Sequence, residues 1–274
     1  MSYSTLMVHL DLERTNETLL RVAGDLATRF EAGLIGTAAA DTAPQLYFAE
    51  GAAAAEAIEK ERAWLEGLFK EREAEFRHVF QAMAGRLEWR SALEWPTEFL
   101  ARNARAADLL IVGSRTDRGT ATREINAGEI AIRAGRPVLF VPAGVTWLKL
   151  ATVVVAWKDA REARRAVNDA LPLLHLARHV VVVELLDKDA DQRAARAGVD
   201  DVARWLNRRG INASSISTKA LIGVTSQLSV IAQDEGADII VAGAYGHTRF
   251  REWLFGGVTR ELLSQQKHCV LLSH

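Results

Sequence analysis

The chain has 274 residues, a length that favours two domains of ordinary size, and its 49% apolar and 25% charged residues exclude a disordered protein. Its 34 basic and 35 acidic residues leave a formal charge of −1, which argues against nucleic acid as a partner. The sequence shows no signal-peptide pattern and no apolar run near the ~18 residues of a membrane span, so we expect a cytoplasmic protein without membrane contact. Its single cysteine excludes a framework of disulfide bonds within the chain.

Short apolar runs in the first half predict strands buried on both faces, because apolar and polar residues do not alternate in them. These runs are LMVHLD from Leu6, LLIVGS within Ala106–Thr116, and PVLFVP from Pro137. Glu50–Arg77, rich in Ala, Glu, Lys and Arg, predicts an elongated helix with a solvated face. Residues 142–146, with Pro and Gly and no periodic pattern, predict a boundary between domains 1–146 and 147–274.

The second half shows the same kinds of pattern in the same order. VVVAWK from Val153 predicts a buried strand, and Arg161–Leu176 carries apolar residues at spacings of three and four, which predicts one covered helix face. Gly236–Gly246 aligns without gaps with Ala106–Thr116 at an offset of 130 residues, and CVLLSH from Cys269 echoes PVLFVP. The sequence therefore predicts two copies of one unit.

Alternating strands and helices predict a doubly wound α/β unit, with a parallel sheet covered by helices on both sides. In such sheets, ligands bind beyond the carboxyl ends of the strands. The last strands of the two units, Val138–Val141 and Cys269–Leu272, need partners at their edges. We expect them to pair with each other across a pseudo-twofold axis.

The segment Val241–Leu263 has the features of a phosphate-binding loop. Glycines follow a buried strand and precede a helical run, so backbone N–H groups can approach an anion and a helix N-terminus can favour it. Arginines in the segment can donate charge-assisted hydrogen bonds to phosphate. The alternative, that these glycines only turn the chain from strand to helix, stays open.

The spacing Gly243-x2-Gly246-x9-Gly256 resembles the nucleotide-binding pattern of universal stress proteins, G-x2-G-x9-G-[ST], and the similarity extends over both halves of the chain. The resemblance implies two tandem domains of the adenine nucleotide alpha hydrolase-like fold, each with a five-stranded sheet. It also implies that the chain binds ATP, that Mg²⁺ binds only together with the nucleotide, and that two chains form a homodimer. Carried over by position, it implies a site in the second domain made of Ala156, Trp157, Lys158, Gly243, Gly246, His247, Arg249, Gly256, Gly257, Val258 and Thr259.

Several positions depart from the family pattern. Gly257 stands where the family has Ser or Thr, although Thr259 offers a hydroxyl nearby, and Lys158 stands within the segment where the family has Asp-Gly-Ser. In the first half, Thr116 replaces the second glycine, while Asp11 keeps the acidic residue after the first strand. We expect the first half to be degenerate as a nucleotide site and to serve as a pairing partner.

Other candidate side chains have simpler interpretations. Trp157 either stacks on adenine or plugs the end of the sheet. His175 and His179, four apart and expected on one helix, lack a third metal ligand. The aspartates of segment 187–191 resemble the start of a calcium-binding loop, but the glycine and glutamate that such a loop requires are absent, so we expect these aspartates to cap a helix. We expect the thiol of Cys269 to be buried and inert. No metal site is assigned.

The sequence contains no Walker lysine loop, no G-x-S-x-G elbow and no paired carboxylates at a recognisable spacing, so no catalytic residue is assigned. We predict a stress-response regulatory protein that binds ATP in its second domain without efficient turnover. Two alternatives stay open: a nucleotide-free dimerising scaffold and a slow ATPase.

Overall fold

The structure, a computed structural model, describes residues 2–42, 52–114, 123–186, 191–244, 261–264 and 267–274. The first half contributes the strands β1 (Thr5–His9), β2 (Gly33–Ala40), β3 (Leu87–Leu93), β4 (Leu109–Ser114) and β5 (Val138–Pro142). The described helices of this half are α1 (Glu17–Phe30), α2 (Ala52–Val79), α3 (Pro96–Asn103) and α4 (Ala127–Arg133), with short 3-10 turns at Gln81–Arg86 and Ala104–Ala106.

The second half repeats this alternation. Its strands are β6 (Thr152–Ala156), β7 (His179–Leu186), β8 (Ala213–Lys219), β9 (Ala237–Gly243) and β10 (Cys269–Ser273). Its described helices are α5 (Arg161–Leu176), α6 (Gln192–Asn207) and α7 (Val224–Asp234). The predicted helix Arg161–Leu176 is confirmed, and the long helix predicted for Glu50–Arg77 is confirmed as α2.

All these strands lie in one ten-stranded sheet with the order β3-β2-β1-β4-β5-β10-β9-β6-β7-β8. Within each half, neighbouring strands are parallel, and both halves show the doubly wound order 3-2-1-4-5. The fold class is confirmed. β5 and β10 pair antiparallel at the centre, with Leu139 opposite Leu271, which confirms the expected pairing of the two end strands.

One face of the sheet is covered by an apolar core that is continuous across both halves. It joins Leu6 and Leu20 of the first half to Val153 and Leu171 of the second. The boundary predicted at residue 146 stays a prediction. Apolar burial continues just after it, because Leu148 is fully buried in the same core. The two halves therefore share the apolar burial that stabilises them.

Helix boundaries follow local capping chemistry. The Asp191 carboxylate accepts hydrogen bonds from the backbone N–H groups of Arg193 (2.9 Å) and Ala194 (3.2 Å), so it caps α6, as expected for the acidic segment 187–191.

The expectation that His175 and His179 share a helix is wrong: α5 ends at Leu176, and His179 begins β7. None of the described helices is long and apolar enough to cross a membrane.

Candidate ligand sites at the carboxyl edge of the sheet

The strand order reverses direction at two places, between β1 and β4 and between β6 and β9. The crevice beyond the carboxyl ends of the strands at such a switch point is where doubly wound sheets bind ligands. In the second half, Ala156 pairs with Ala242, so Trp157 and Lys158 emerge beside Gly243. The structure thus brings together the four predicted site residues that it describes.

The remaining predicted residues of this site lie outside the described residues and stay predictions. They are Gly246, His247, Arg249, Gly256, Gly257, Val258 and Thr259.

Trp157 belongs to the apolar core. Its side chain is only 9% exposed and lies in the same core as Val155 and Leu171, while its backbone N–H donates to the carbonyl of Val183 (2.8 Å). The aligned residue of the first half, Leu10, is buried in that core too. The structure therefore favours the interpretation of Trp157 as a plug at the end of the sheet over a platform for adenine.

Gly243 is required for close packing between β9 and α5. A Cβ atom at this position would lie 2.6 Å from the carbonyl carbon of Glu162, 2.9 Å from its oxygen, and 2.7 Å from the backbone nitrogen of Ala163. These are backbone atoms at the start of a helix, which cannot move aside as a flexible side chain would. Gly243 therefore has a packing role that is independent of any ligand.

Acidic groups surround this edge of the second half. Glu162 is 6% exposed and pairs with Arg161. Burial raises the pKa of Glu184 on β7, the nearby Asp159 raises it further, and the positive charge of Lys158 opposes them. Glu162, Glu184 and Asp159 thus bring carboxylates to this edge, and two of them are paired with arginines, Glu162 with Arg161 and Asp159 with Arg164.

The first half holds an open cavity at its own switch point. The cavity has a volume of about 390 Å³ and lies between the ends of β1, β4 and β5 and the chain segments that lead into α1 and α4. Gly113 lines it, and a Cβ atom there would meet nothing within 4 Å, in contrast to the aligned Gly243. The sequence prediction missed this cavity. The only hints in the sequence are Gly113 and Asp11, which match the glycine and the acidic residue of the family pattern at these positions.

The loop between β1 and α1 is held in shape by Asn16, which is 2% exposed. Its side-chain Oδ1 accepts from the N–H of Asp11 (2.8 Å), and its Nδ2 donates to the carbonyls of Asp11 (2.9 Å) and Arg14 (3.3 Å). The Asp11 carboxylate in turn accepts from the N–H groups of Glu13 (2.8 Å) and Arg14 (3.1 Å). This wall of the cavity is therefore preorganised.

His9 lines the cavity where β1 ends. Its Nδ1 lies 3.2 Å from Oγ1 of Thr37, whose hydroxyl donates to the carbonyl of Val8 (3.2 Å). Because that hydroxyl hydrogen is already used, Nδ1 of His9 is the donor and Nε2 is left as an acceptor. Burial lowers the pKa of His9 to about 4, and the nearby Asp11 opposes this only in part, so the ring is neutral near pH 7.

Arg123 ties three segments together at the cavity. Its guanidinium donates to carboxylate oxygens of Glu13 (2.9 Å), in the β1–α1 loop, and of Glu61, in α2. It also stacks over the ring of Trp64, 4.7 Å from the ring centroid. The side chain of Arg123 is 18% exposed. We call Arg123, Glu13, Glu61 and Trp64 the Arg123 clasp.

No family model matches the chain, and no curated protein matches it by sequence. The structure is similar to a universal stress protein from Archaeoglobus fulgidus DSM 4304, with a TM-score of 0.71, 13% identity, and coverage of 98% of this chain and 95% of that chain. It is also similar to a functionally unknown protein from Pseudomonas aeruginosa PAO1, with a TM-score of 0.60, 15% identity, and coverage of 99% and 92%. At these identities the similarity concerns the fold. The chain therefore has the fold of a two-unit universal stress protein, which confirms the predicted resemblance at the level of the fold.

Proposed function

We propose that this chain is a stress-response regulatory protein that binds an adenine nucleotide in its second half and does not turn it over efficiently. The carrying observation is the convergence of Ala156, Lys158 and Gly243 at the β6/β9 switch point, where doubly wound sheets bind ligands. The full-length likeness to a universal stress protein supports the regulatory role.

Phosphate binding in this proposal rests on the glycine-rich segment that follows Gly243 in the sequence. Glycines there let backbone N–H groups approach the phosphates, and Arg249 and Thr259 supply charge and a hydroxyl. Turnover is not expected, because the sequence has no Walker lysine to hold the transferred phosphoryl group. Magnesium would enter only with the nucleotide.

The test is calorimetric titration of the nucleotide-stripped protein with ATP, AMP and GTP. We expect ATP to bind, and Gly246→Val to abolish the binding because its side chain blocks backbone approach. Gly144→Val is the matched control, since Gly144 is exposed and a Cβ atom added there would meet nothing within 4 Å. An affinity for ATP that is unchanged in Gly246→Val would contradict the assignment of the site.

A nucleotide-free dimerising scaffold is the second candidate, and specific observations favour it. Trp157 fills the end of the sheet, and Gly243 packs directly on the backbone at the start of α5. Both residues therefore have packing roles that need no ligand.

Thermal unfolding with and without millimolar nucleotide separates these two functions. A nucleotide that binds the folded state raises the melting temperature, by mass action. No shift with ATP, AMP or GTP, together with a stable dimer in light scattering, would support the scaffold and refute nucleotide binding.

A further inference from the structure

We infer that β3 is the edge through which two copies of this chain associate. The two β3 strands pair antiparallel across a twofold axis at Trp89, so that the sheet continues from one copy into the other. β5 and β10 are joined to each other within the chain, which leaves β3 and β8 as the outer strands of the sheet. The inference concerns association alone and does not depend on nucleotide binding.

Alternate residues of β3 direct their backbone groups away from the sheet. The carbonyl of Thr37 on β2 accepts from the N–H of Leu10, just after β1, so odd-numbered residues of β2 bond toward β1 and even-numbered residues bond toward β3. Because Leu34 of β2 lies opposite Leu87, its bonds go to residues 86 and 88. The odd-numbered residues of β3 therefore direct their N–H and C=O groups outward.

This outer edge of β3 is accessible. Ser91 is exposed, and the side chain of Glu88 is 54% exposed. Among the described residues, no group hydrogen-bonds to the outward N–H and C=O of Trp89 and Ser91. An edge strand that presents unused donors and acceptors is a template for pairing with another strand.

The opposite end of the sheet, β8, is closed by side chains. Asn212 bonds to β7, so the next residue, Ala213, faces outward. Asn207 of α6 donates to the carbonyl of Ala213 (2.8 Å) and accepts from its N–H (3.1 Å), as a neighbouring strand would. Gln227 of α7 donates in the same way to the carbonyl of Lys219 (3.0 Å). Side chains thus protect β8 against the addition of a strand, and β3 is the edge left for association.

Charge complementarity selects a second copy of this chain as the partner of β3. Glu88 and Arg90 lie on the same face of the strand, 2.7 Å apart as an ion pair. In an antiparallel pair centred on Trp89, Glu88 of one copy lies opposite Arg90 of the other, twice by symmetry. These two positions fall between the hydrogen-bonded pairs, where opposite side chains are closest, and opposite charges there stabilise the pairing.

The same register uses the outward backbone groups. The two Trp89 residues exchange N–H···O=C bonds across the axis, and the N–H of Ser91 in each copy donates to the carbonyl of Leu87 in the other. The N–H of Leu87 already donates to the carbonyl of Ala84, so it is not needed. The twofold axis therefore satisfies backbone groups and charges together.

Exposed apolar side chains flank β3 at both ends. Trp95 follows the strand and is 45% exposed, while Val79 precedes it, at the end of α2, and is 47% exposed. Antiparallel pairing brings the end of one β3 beside the start of the other. Trp95 of one copy therefore comes to the side on which Val79 of the other lies, and burial of this apolar surface favours association.

The test exchanges the charges on the full chain without nucleotide. Glu88→Arg would place arginines opposite each other, and Arg90→Glu would place glutamates opposite each other. We expect each variant alone to self-associate at least about tenfold more weakly than wild type. An equimolar mixture should recover the wild-type affinity, because one copy then carries two arginines and the other two glutamates. Sedimentation equilibrium measures the association.

Ser91→Pro tests the backbone pairing independently of charge. Proline has no N–H, but the N–H of Ser91 faces outward, so the bonds between β2 and β3 are kept. We expect association at least about tenfold weaker than in Ser91→Ala, the matched control, which keeps the N–H. Circular dichroism and urea unfolding midpoints check that every variant folds, above all Arg90→Glu, which also loses the bond from Arg90 to Asn103 (3.0 Å).

Three results would overturn the proposal. If the wild-type chain stays monomeric at millimolar concentration, β3 does not pair with a second copy. If the charge variants and Ser91→Pro associate as tightly as wild type, the interface lies elsewhere. If each charge variant folds and associates weakly but the mixture does not recover, Glu88 and Arg90 do not face each other across the axis.

Discussion

The aligned glycines Gly113 and Gly243 should respond in opposite ways to the same small substitution. In Gly243→Ala, the new methyl group would lie 2.6–2.9 Å from backbone atoms of Glu162 and Ala163, so β9 and α5 must separate. Overpacking a close-packed interior costs about 1–3 kcal/mol, and we expect the upper part of that range because the atoms that clash belong to the backbone. We therefore expect Gly243→Ala to lose roughly 2–3 kcal/mol of the free energy of unfolding.

Gly113→Ala is the matched control, because its methyl group would meet nothing within 4 Å. Here the substitution removes conformational freedom from the unfolded chain, which stabilises by about 0.4–1 kcal/mol where the backbone permits alanine. Neither glycine has a positive φ, so alanine suits both backbones. The two variants should therefore differ in stability by roughly 3 kcal/mol, with opposite signs.

Urea unfolding followed by far-UV circular dichroism and by tryptophan fluorescence gives both free energies of unfolding. Thermal unfolding should agree, with Gly243→Ala melting roughly 4–12 °C below wild type, since 1 kcal/mol shifts the melting temperature by ~2–4 °C in chains near this size. If Gly243→Ala is as stable as Gly113→Ala, the close contact between β9 and α5 does not exist in solution. The packing role of Gly243 would then be refuted.

Buried polar groups and the buried thiol give three further predictions. Asn16→Ala leaves polar backbone groups of the β1–α1 loop unpaired and should cost about 1–3 kcal/mol in urea unfolding, whereas Asn212→Ala, on an exposed loop, should cost less. The pKa of His9 is about 4 in the folded state and 6.5 in an unperturbed histidine, so the unfolded state binds the proton first as the pH falls. The free energy of unfolding should therefore fall by roughly 3 kcal/mol between pH 6.5 and pH 4. His9→Gln should remove this part of the pH dependence. Cys269 is fully buried and its pKa is raised to about 12, so a thiol reagent at pH 8 should leave it unmodified until urea unfolds the chain.

Most of the fold could be predicted from local sequence patterns, because buried parallel strands are nearly continuous apolar runs. Val153–Ala156 and Leu109–Val112 are such runs, and the alignment of Ala106–Thr116 with Gly236–Gly246 set the two units in register. The antiparallel pairing of β5 with β10 followed from the need of an edge strand for a partner. What these patterns do not contain is the distance between a strand end and the next helix.

The candidate sites were harder to predict because they depend on that distance. Gly113 and Gly243 occupy the same position in the aligned segments, yet one faces a cavity and the other lies against a helix backbone. Likewise, Arg123 lines the cavity, but its charge is engaged by Glu61, which is 62 residues away in the chain. A sequence pattern identifies a glycine or an arginine, and only the packing of distant segments decides whether it is available to a ligand.

The same repeat therefore produces two crevices with different properties. In the second half, Trp157 is buried in the core and Gly243 packs against the start of α5; in the first half, Leu10 is buried at the position aligned with Trp157, and Gly113 lines a cavity. Because β5 and β10 join the halves into one sheet with a shared core, ligand binding in one half and packing in the other affect the stability of the same cooperative structure.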